Sequence, residues 1–478
     1  MSTTGAVVLT LLVLAASGVV PVLLAVGPRL VALPLLPLAG ALCCGVAAVS
    51  EIALFGSLLL WFVLWAVGAF VVSAVVLVTH PALRQRRRRQ LAALRHGVRP
   101  LLVIGGVAVV AATVPMLWSL KVPSVGFDTR AIWMLHARWL SHGHTFALAA
   151  IRNRFLVVSH PGYPPLVSSV MAFAWRLTGT SSARVGVVMV ALVNACALFV
   201  AGWGIIEVAR RGAVRLHAGQ RGQQLVLAAG VLVAALTVLV AGGVVGLFAT
   251  NGYADVLWSF TAVAAVVFGL VLPPTPSNLA VTALLLGVTG LTKVEGIAVA
   301  GVFVILIAVR VVVRRQGRPW VPIAGAAAAI VALLVWPLLT IIAGVPSDPS
   351  ISGQRDGSLS SRAHSTISAM WPHLHVVVLA LVCSVLGGLF LRAVRGRLGL
   401  ANDLWPWVAL IGATAVLAGA YVFGPGNVEL WLATSVNRTT IFEALLAWWI
   451  VALWALSGVA GASLLERAQV PTRKPAAP

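Results

Sequence analysis

The chain has 478 residues, of which 60% are hydrophobic and only 9% charged, with a formal net charge of +22. A soluble domain carries about 25% charged residues, and a chain this poor in charge has too little polar surface to face water. The surplus arginines sit in short loops between apolar runs, the pattern that retains loops on the cytoplasmic side of a membrane, which argues against a nucleic-acid binder.

From the N-terminus, MSTTGAVVLTLLVLAASGVV has no basic segment ahead of its apolar stretch and reads as a retained helix rather than a cleaved signal peptide. Apolar stretches of about 20 residues, each long enough to cross the hydrocarbon core, recur from there onward. They predict spans near residues 6–26, 30–50, 53–79, 100–119, 186–209, 224–243, 254–272, 279–292, 296–313, 320–343, 373–391, 404–423 and 441–461. The expected fold class is an all-α polytopic membrane protein with about 13 transmembrane helices in the cell membrane. Residues 1–99 form an N-terminal three-helix segment ending in a basic cytoplasmic loop, and residues 100–478 the remaining membrane region. Cys43, Cys44, Cys196 and Cys383 all lie inside apolar runs, with neither disulfide nor metal spacing, and read as small packing residues.

The most basic loop, Arg84–Arg99, is placed in the cytoplasm. Alternation then puts Arg210–Arg221, Arg310–Arg318, Arg392–Arg397 and the tail Arg467–Lys474 on the same side, provided that the segment Tyr163–Thr178 does not cross. That segment is expected as a juxtamembrane helix that lies along the outer surface or dips in and returns. Of the eleven acidic residues, Glu207, Asp403 and Glu466 fall on the cytoplasmic side. Glu51, Asp128, Asp255, Glu295, Asp348, Asp356, Glu429 and Glu443 fall at or near the outer face. Acidic residues say little about orientation, so their collection on one face calls for another cause, and an outward-facing site supplies one.

The outer loops are read at 120–185, 243–254, 343–373 and 424–440. In the first, GFDTRAIWMLHARWL places Asp128 ahead of a helical pattern, with Arg130 beside it. An Asp at that position serves either as a helix cap or as a general base toward an acceptor hydroxyl. HPGYPPL follows, where Pro161, Pro164 and Pro165 hold His160 and Tyr163 at the mouth of the next helix. Asn251-Gly252 marks a turn, and Asp255 opens a later helix where capping is again the simpler reading. Lys293 and Glu295 share a hairpin, as a neutralising pair or with Lys293 meeting a phosphate. The Ser-, Asp- and Pro-rich loop 343–373 contributes Arg362, and TSVNR brings Arg438 to the final helix, suited to snorkelling or to gripping a lipid phosphate. Walker A, dinucleotide, HExxH and GxSxG motifs are absent.

Together FDTRAIWMLHARWL, HPGYPPL, GYAD, TKVEG and TSVNR, covering most of Gly126–Arg438, resemble the GT-C class of membrane glycosyltransferases. The likeness is to the branch of dolichyl-phosphate-mannose protein mannosyltransferases and bacterial aminoarabinose transferases. The resemblance implies a polyprenyl-phosphate-linked sugar donor and transfer, with inversion, to an envelope glycan, lipid or protein acceptor on the outer face. It implies that Asp128 is the catalytic base and Asp255 the second catalytic acid that positions substrate, with Arg130, His160, Tyr163, Lys293, Glu295, Arg362 and Arg438 toward substrate. His160 stands where several relatives carry an acidic residue, so one carboxylate of a divalent-cation site is missing and no cofactor or metal ligand is assigned. The adjacent acidic pair that many members show after the first span is also absent. The competing expectation is a flippase or transporter of a lipid-linked or small polar substrate, and the third a scaffolding membrane protein of envelope assembly.

Overall fold

A computed structural model of the chain describes residues 1–81, 83–85, 87, 88, 106, 107, 109, 110, 113, 125–215, 220–314, 320–346, 355–390 and 404–469. Most of the expected span 100–119 and of the basic loop Arg84–Arg99 lies outside the described residues, as do Lys121, Asp348, Arg392–Arg397, Asp403 and the tail from 470.

Among the described residues the secondary structure is helical throughout. The helices are α1 (Thr3–Val26), α2 (Ala32–Ala53), α3 (Leu58–Thr79), α4 (Leu135–Ser141), α5 (His144–Ile151), α6 (Leu166–Thr178), α7 (Ala183–Arg215), α8 (Gln220–Gly242) and α9 (Val244–Thr250). They continue as α10 (Asp255–Val266), α11 (Pro276–Thr292), α12 (Val294–Val313), α13 (Trp320–Ile342), α14 (Leu359–Met370), α15 (His375–Phe390), α16 (Leu404–Phe423), α17 (Val428–Thr439) and α18 (Ile441–Gln469). Nine apolar stretches among the described residues are long enough to cross a bilayer, ten if the pair α14–α15, bent by 69°, is one span. The chain is a multi-pass membrane protein.

The expectation of 13 spans differs from this count for physical reasons. Most of the stretch 100–119 lies outside the described residues, and α10 with its continuation to Val271 and α11 are shorter apolar helices. Each of these two covers 17 residues, about 26 Å at 1.5 Å per residue against a hydrocarbon core of about 30 Å. They are interior helices: every residue of α10 is buried, against α7, α11, α12 and α18. By contrast α3 and α13 expose Val63, Trp65, Phe70, Val321, Val331 and Ile341, an apolar exterior suited to lipid.

The segment Tyr163–Thr178 forms α6, whose 13 residues span about 20 Å, too short to cross. It does not lie on a surface, because Leu166 to Trp175 are all buried between α2, α4 and α7. The N-terminal helices share the same core. α2 packs on α6, α7 and α11, and one continuous apolar cluster runs from Ala6 to Leu456. The four cysteines are free and lie within helices.

Several arginines of the expected cytoplasmic end have work beyond topology. Arg310, 1% exposed, donates to the carbonyls of Gly269 and Leu272 at 2.6 and 2.9 Å and of Val271 at 3.3 Å, closing a π-helical turn that ends α10. Arg87 donates to the Leu24 and Ala25 carbonyls at the end of α1. A helix leaves its last four carbonyls without partners, and a cation there also suits the helix dipole. Glu207 holds Arg210 and Arg211 at 2.7 and 2.8 Å near the end of α7. Arg310→Leu is expected to cost roughly 3 kcal/mol, because buried carbonyls lose a charged donor. Arg310→Lys should recover only part, since one ammonium cannot replace a guanidinium fork. Thermal unfolding of the purified protein in nanodiscs checks both.

Candidate functional site

Two turns bring distant parts of the chain together. Gly126 N–H and the Thr129 hydroxyl both donate to the Asn251 carbonyl, at 3.3 and 2.7 Å. Asn251 in turn accepts from the Tyr253 amide at 3.2 Å through its side chain, which shapes the turn. Gly252 has φ +89° and faces Thr129, while Gly126 lies against the Tyr253 ring; a side chain on either would push the two segments apart. The result is that Asp128 comes to the N-terminus of α10, where Asp255 sits.

The Asp128 carboxylate there is not a cap. Asp128 makes no capping hydrogen bond to the π-helical turn Thr129–Met134 that it precedes; it is ion-paired with Arg438 instead. The same Arg438 nitrogen lies 3.8 Å from an Asp255 oxygen, and the guanidinium stands 5.3 Å over the Tyr253 ring. The other Asp255 oxygen accepts from Lys293 at 2.7 Å, and Lys293 also reaches Glu295 at 3.0 Å. Lys293 is the single extended residue between α11 and α12, so its backbone marks the break that aims its side chain into the cluster. Asp128, Arg438, Asp255, Lys293 and Glu295 thus form one chain of alternating charge drawn from four parts of the sequence.

Its burial is graded. The side chains of Asp255 and Lys293 are 1% and 4% exposed, and those of Arg438, Glu295 and Asp128 15%, 21% and 22%. Three carboxylates against two cations leave a formal charge of −1. A buried ion pair is sustained only when each charge keeps good partners, and this chain supplies them.

An aromatic stack flanks the chain. Tyr163 lies parallel to Trp133 and to His160, with ring centroids at 5.6 and 4.8 Å, and the Lys293 ammonium stands 5.8 Å from the Tyr163 centroid. Burial holds the Tyr163 phenol above its usual pKa, so it is a neutral donor. His160 has φ 54°, the one non-glycine residue with positive φ among those described, and strain of this kind collects at functional sites. Next to the stack, His136 is buried and stacked on Trp139 at 4.4 Å.

The site residues read from sequence therefore separate into groups. Asp128, Asp255, Lys293, Glu295 and Arg438 meet directly, with Tyr163 and His160 stacked alongside. Arg130 is near Asp128 in sequence but points to an exposed position. Arg362 is elsewhere: it is 1% exposed and donates to the carbonyls of Tyr421, Val422, Gly424 and Gly426 between 2.7 and 3.0 Å, and to Asp356. Its donors are taken up by the chain itself, so it is a clasp between α14 and the 421–426 segment and has none left for a phosphate. Glu51 and Glu443 are fully buried in α2 and α18 and form no ion pair among the described residues. Tyr253 and Trp133 were not singled out by sequence reasoning; Tyr253 stood in the GYAD turn, a signal for its proximity to Asp255.

Among the described residues no group of three or more His, Cys, Asp or Glu side chains is placed to hold a metal ion. The Asp128 and Asp255 carboxylates are engaged by Arg438 and Lys293, which compete with any cation for them. Comparison with known proteins identifies no relative: no family model, curated protein or solved structure matches the chain.

Two expectations follow. Asp255→Ala is expected to lower stability by about 3–5 kcal/mol, the usual cost of stranding a buried charge. Asp255→Leu with Lys293→Met should restore much of that in nanodisc unfolding. Burial lowers His136 from 6.5 to about 3, with His160 lowering it further and the Ser159 backbone opposing. The unfolded chain binds this proton near pH 6.5 while the native state refuses it. Stability is therefore complete above pH 6.5 and falls as the pH drops toward 3, by about 1.4 kcal/mol per pH unit. A flatter melting profile between pH 6.5 and 4 in His136→Gln checks this; a profile parallel to wild type contradicts it.

Proposed function

We propose that the protein is a glycosyltransferase that takes a sugar from a polyprenyl-phosphate donor and passes it, with inversion, to an envelope glycan, lipid or protein acceptor at the extracytoplasmic face. The observation that carries this reading is that Arg438 is shared between a reachable carboxylate, Asp128, and a buried one, Asp255.

The net charge of the cluster is negative, so a donor phosphate has to displace a carboxylate to reach a cation. Asp255, at 1% exposure and held by Lys293, stays; Asp128, at 22%, is the one that yields. Phosphate on Arg438 then frees the Asp128 carboxylate beside the reacting centre, so that donor binding itself uncovers the base. The acceptor hydroxyl oxygen attacks the anomeric carbon and its proton passes to Asp128. The bond from that carbon to the phosphate oxygen breaks with its electron pair, and the polyprenyl phosphate leaves with its added charge held by Arg438 and Lys293. The Tyr163 phenol and His160 imidazole flank the charge chain without charge of the wrong sign. No step requires a metal.

A second reading, a flippase or transporter, draws on the nearly complete burial of the Lys293–Asp255 pair, since intramembrane charges also mark transport paths. The two differ in whether the donor is consumed.

Wild type in nanodiscs is expected to transfer radiolabelled sugar from a polyprenyl phosphate to a membrane-glycan acceptor. Asp128→Asn should lose about 100- to 10,000-fold in kcat while still binding donor. Arg438→Ala should weaken donor affinity by about 10- to 100-fold, the worth of a hydrogen bond to a charged group. Donor that is bound but never consumed, or turnover equal to wild type in Asp128→Asn, removes the transferase reading, and donor movement across a vesicle membrane would then decide for transport.

A further inference from the structure

The reading above leaves the acceptor without a place. Between α14 and α17, the helix that carries Arg438, lies an open groove of about 670 Å³. That lies within the range of small-ligand sites, about 300–1,000 Å³. Ser365 and Ser368, three apart, line it from α14, and His373 closes one end; Glu429, Ala433 and Asn437, at four-residue intervals, line it from one face of α17. Its floor is Leu432 and Val436, part of a small apolar cluster with Met370, Tyr421 and Val428 that is separate from the main core.

The chemistry of these walls selects a ligand class. Among the described residues that line the groove none is Lys or Arg, and one is Glu, so an anionic ligand finds no counter-charge there. The hydroxyl, carboxylate and amide groups would be left unsatisfied by a lipid tail, at a cost for each. Vicinal hydroxyls suit them: planar Glu429 and Asn437 groups accept from and donate to adjacent O–H groups. The small Ala433 between them leaves room for a ring, and Leu432 and Val436 meet its C–H face. The walls are held in place from behind. Arg362 clasps α14 to the 421–426 segment, and the Tyr421 hydroxyl bonds Ser435 and Thr439 of α17 at 2.7 and 2.9 Å. The groove and the charge chain share a helix, because Asn437, which lines the groove, is followed in α17 by Arg438, which holds Asp128.

We infer that this groove binds a neutral carbohydrate acceptor and delivers its terminal hydroxyl to Asp128. The inference rests on the transferase reading for the fate of that hydroxyl, but the binding site itself does not.

The test uses the full chain in nanodiscs and a panel of gluco-, manno- and galacto-configured trisaccharides carrying a diazirine at the reducing end. At least one is expected to crosslink within residues 359–373 or 428–437, and unlabelled trisaccharide should compete. Ala433→Trp fills the groove at an exposed position and should cut that crosslinking at least tenfold, with polyprenyl-phosphate-sugar binding kept at the wild-type level; Glu429→Gln should weaken it with less change of shape. No trisaccharide crosslinked to either helix, equal crosslinking in Ala433→Trp, or capture there of a diazirine-tagged dodecyl phosphate instead overturns the inference. Trisaccharide captured in the groove and blocked by Ala433→Trp, with no sugar ever transferred, sustains the groove and removes the transferase reading.

Discussion

The interaction on which the rest of the site depends is the contact of Lys293 with Asp255, an ion pair almost wholly withdrawn from solvent. Inside a low-dielectric helical bundle an unpaired ammonium or carboxylate is costly enough to reshape its surroundings. Each partner here therefore fixes the other, and both fix the breaks that carry them: the single extended residue between α11 and α12, and the first turn of α10. Arg438 and Glu295 extend the pair at its two ends toward water. Exposure rises outward from the pair along this series, so that the inner members set the frame and Asp128, at the far end, is the one able to change partner.

The same logic governs helix ends throughout the molecule. Main-chain carbonyls that an aqueous protein leaves to water have to be satisfied internally in a membrane protein. Arg310, Arg87 and Arg362 do this by placing a guanidinium over carbonyls of another segment. These arginines are spread over both ends of the molecule as the sequence orders them. The site differs from the clasps in one respect: its cations face carboxylates, which a competing anion can displace, whereas the clasps, the contact of Arg362 with Asp356 aside, hold backbone carbonyls, which it cannot.

Much of this was legible in the sequence. Apolar runs gave the helices, and of the residues singled out for a site, Asp128, Asp255, Lys293, Glu295 and Arg438 do meet. What stayed hidden depended on tertiary contact. Asp128 at a helix start reads equally as a cap or as an acid, and only the docking of Thr129 on Asn251 decides its partner. Arg362 sits in a Ser-rich stretch that reads as a loop, with no local feature to separate a ligand contact from a clasp, since all its acceptors but Asp356 are carbonyls about sixty residues away that composition cannot reveal. The short α10 and α11 read like longer spans because hydropathy records how apolar a segment is and not whether lipid or protein covers it. The burial of α6 was missed for the same reason.

The clasp at Arg362 has a consequence for how this chain tolerates change. Its acceptors from Tyr421 to Gly426 are peptide oxygens, so the clasp does not depend on the side chains of Val422 or Phe423, but Gly424, where a Cβ would meet the Ala420 carbonyl, and Gly426, with φ +77°, are tied to glycine. Tolerance of change in this region is therefore expected to be uneven: Val422 and Phe423 can vary without touching the clasp, whereas Arg362 and the two glycines cannot, and the groove wall built on that clasp keeps its position while they stay.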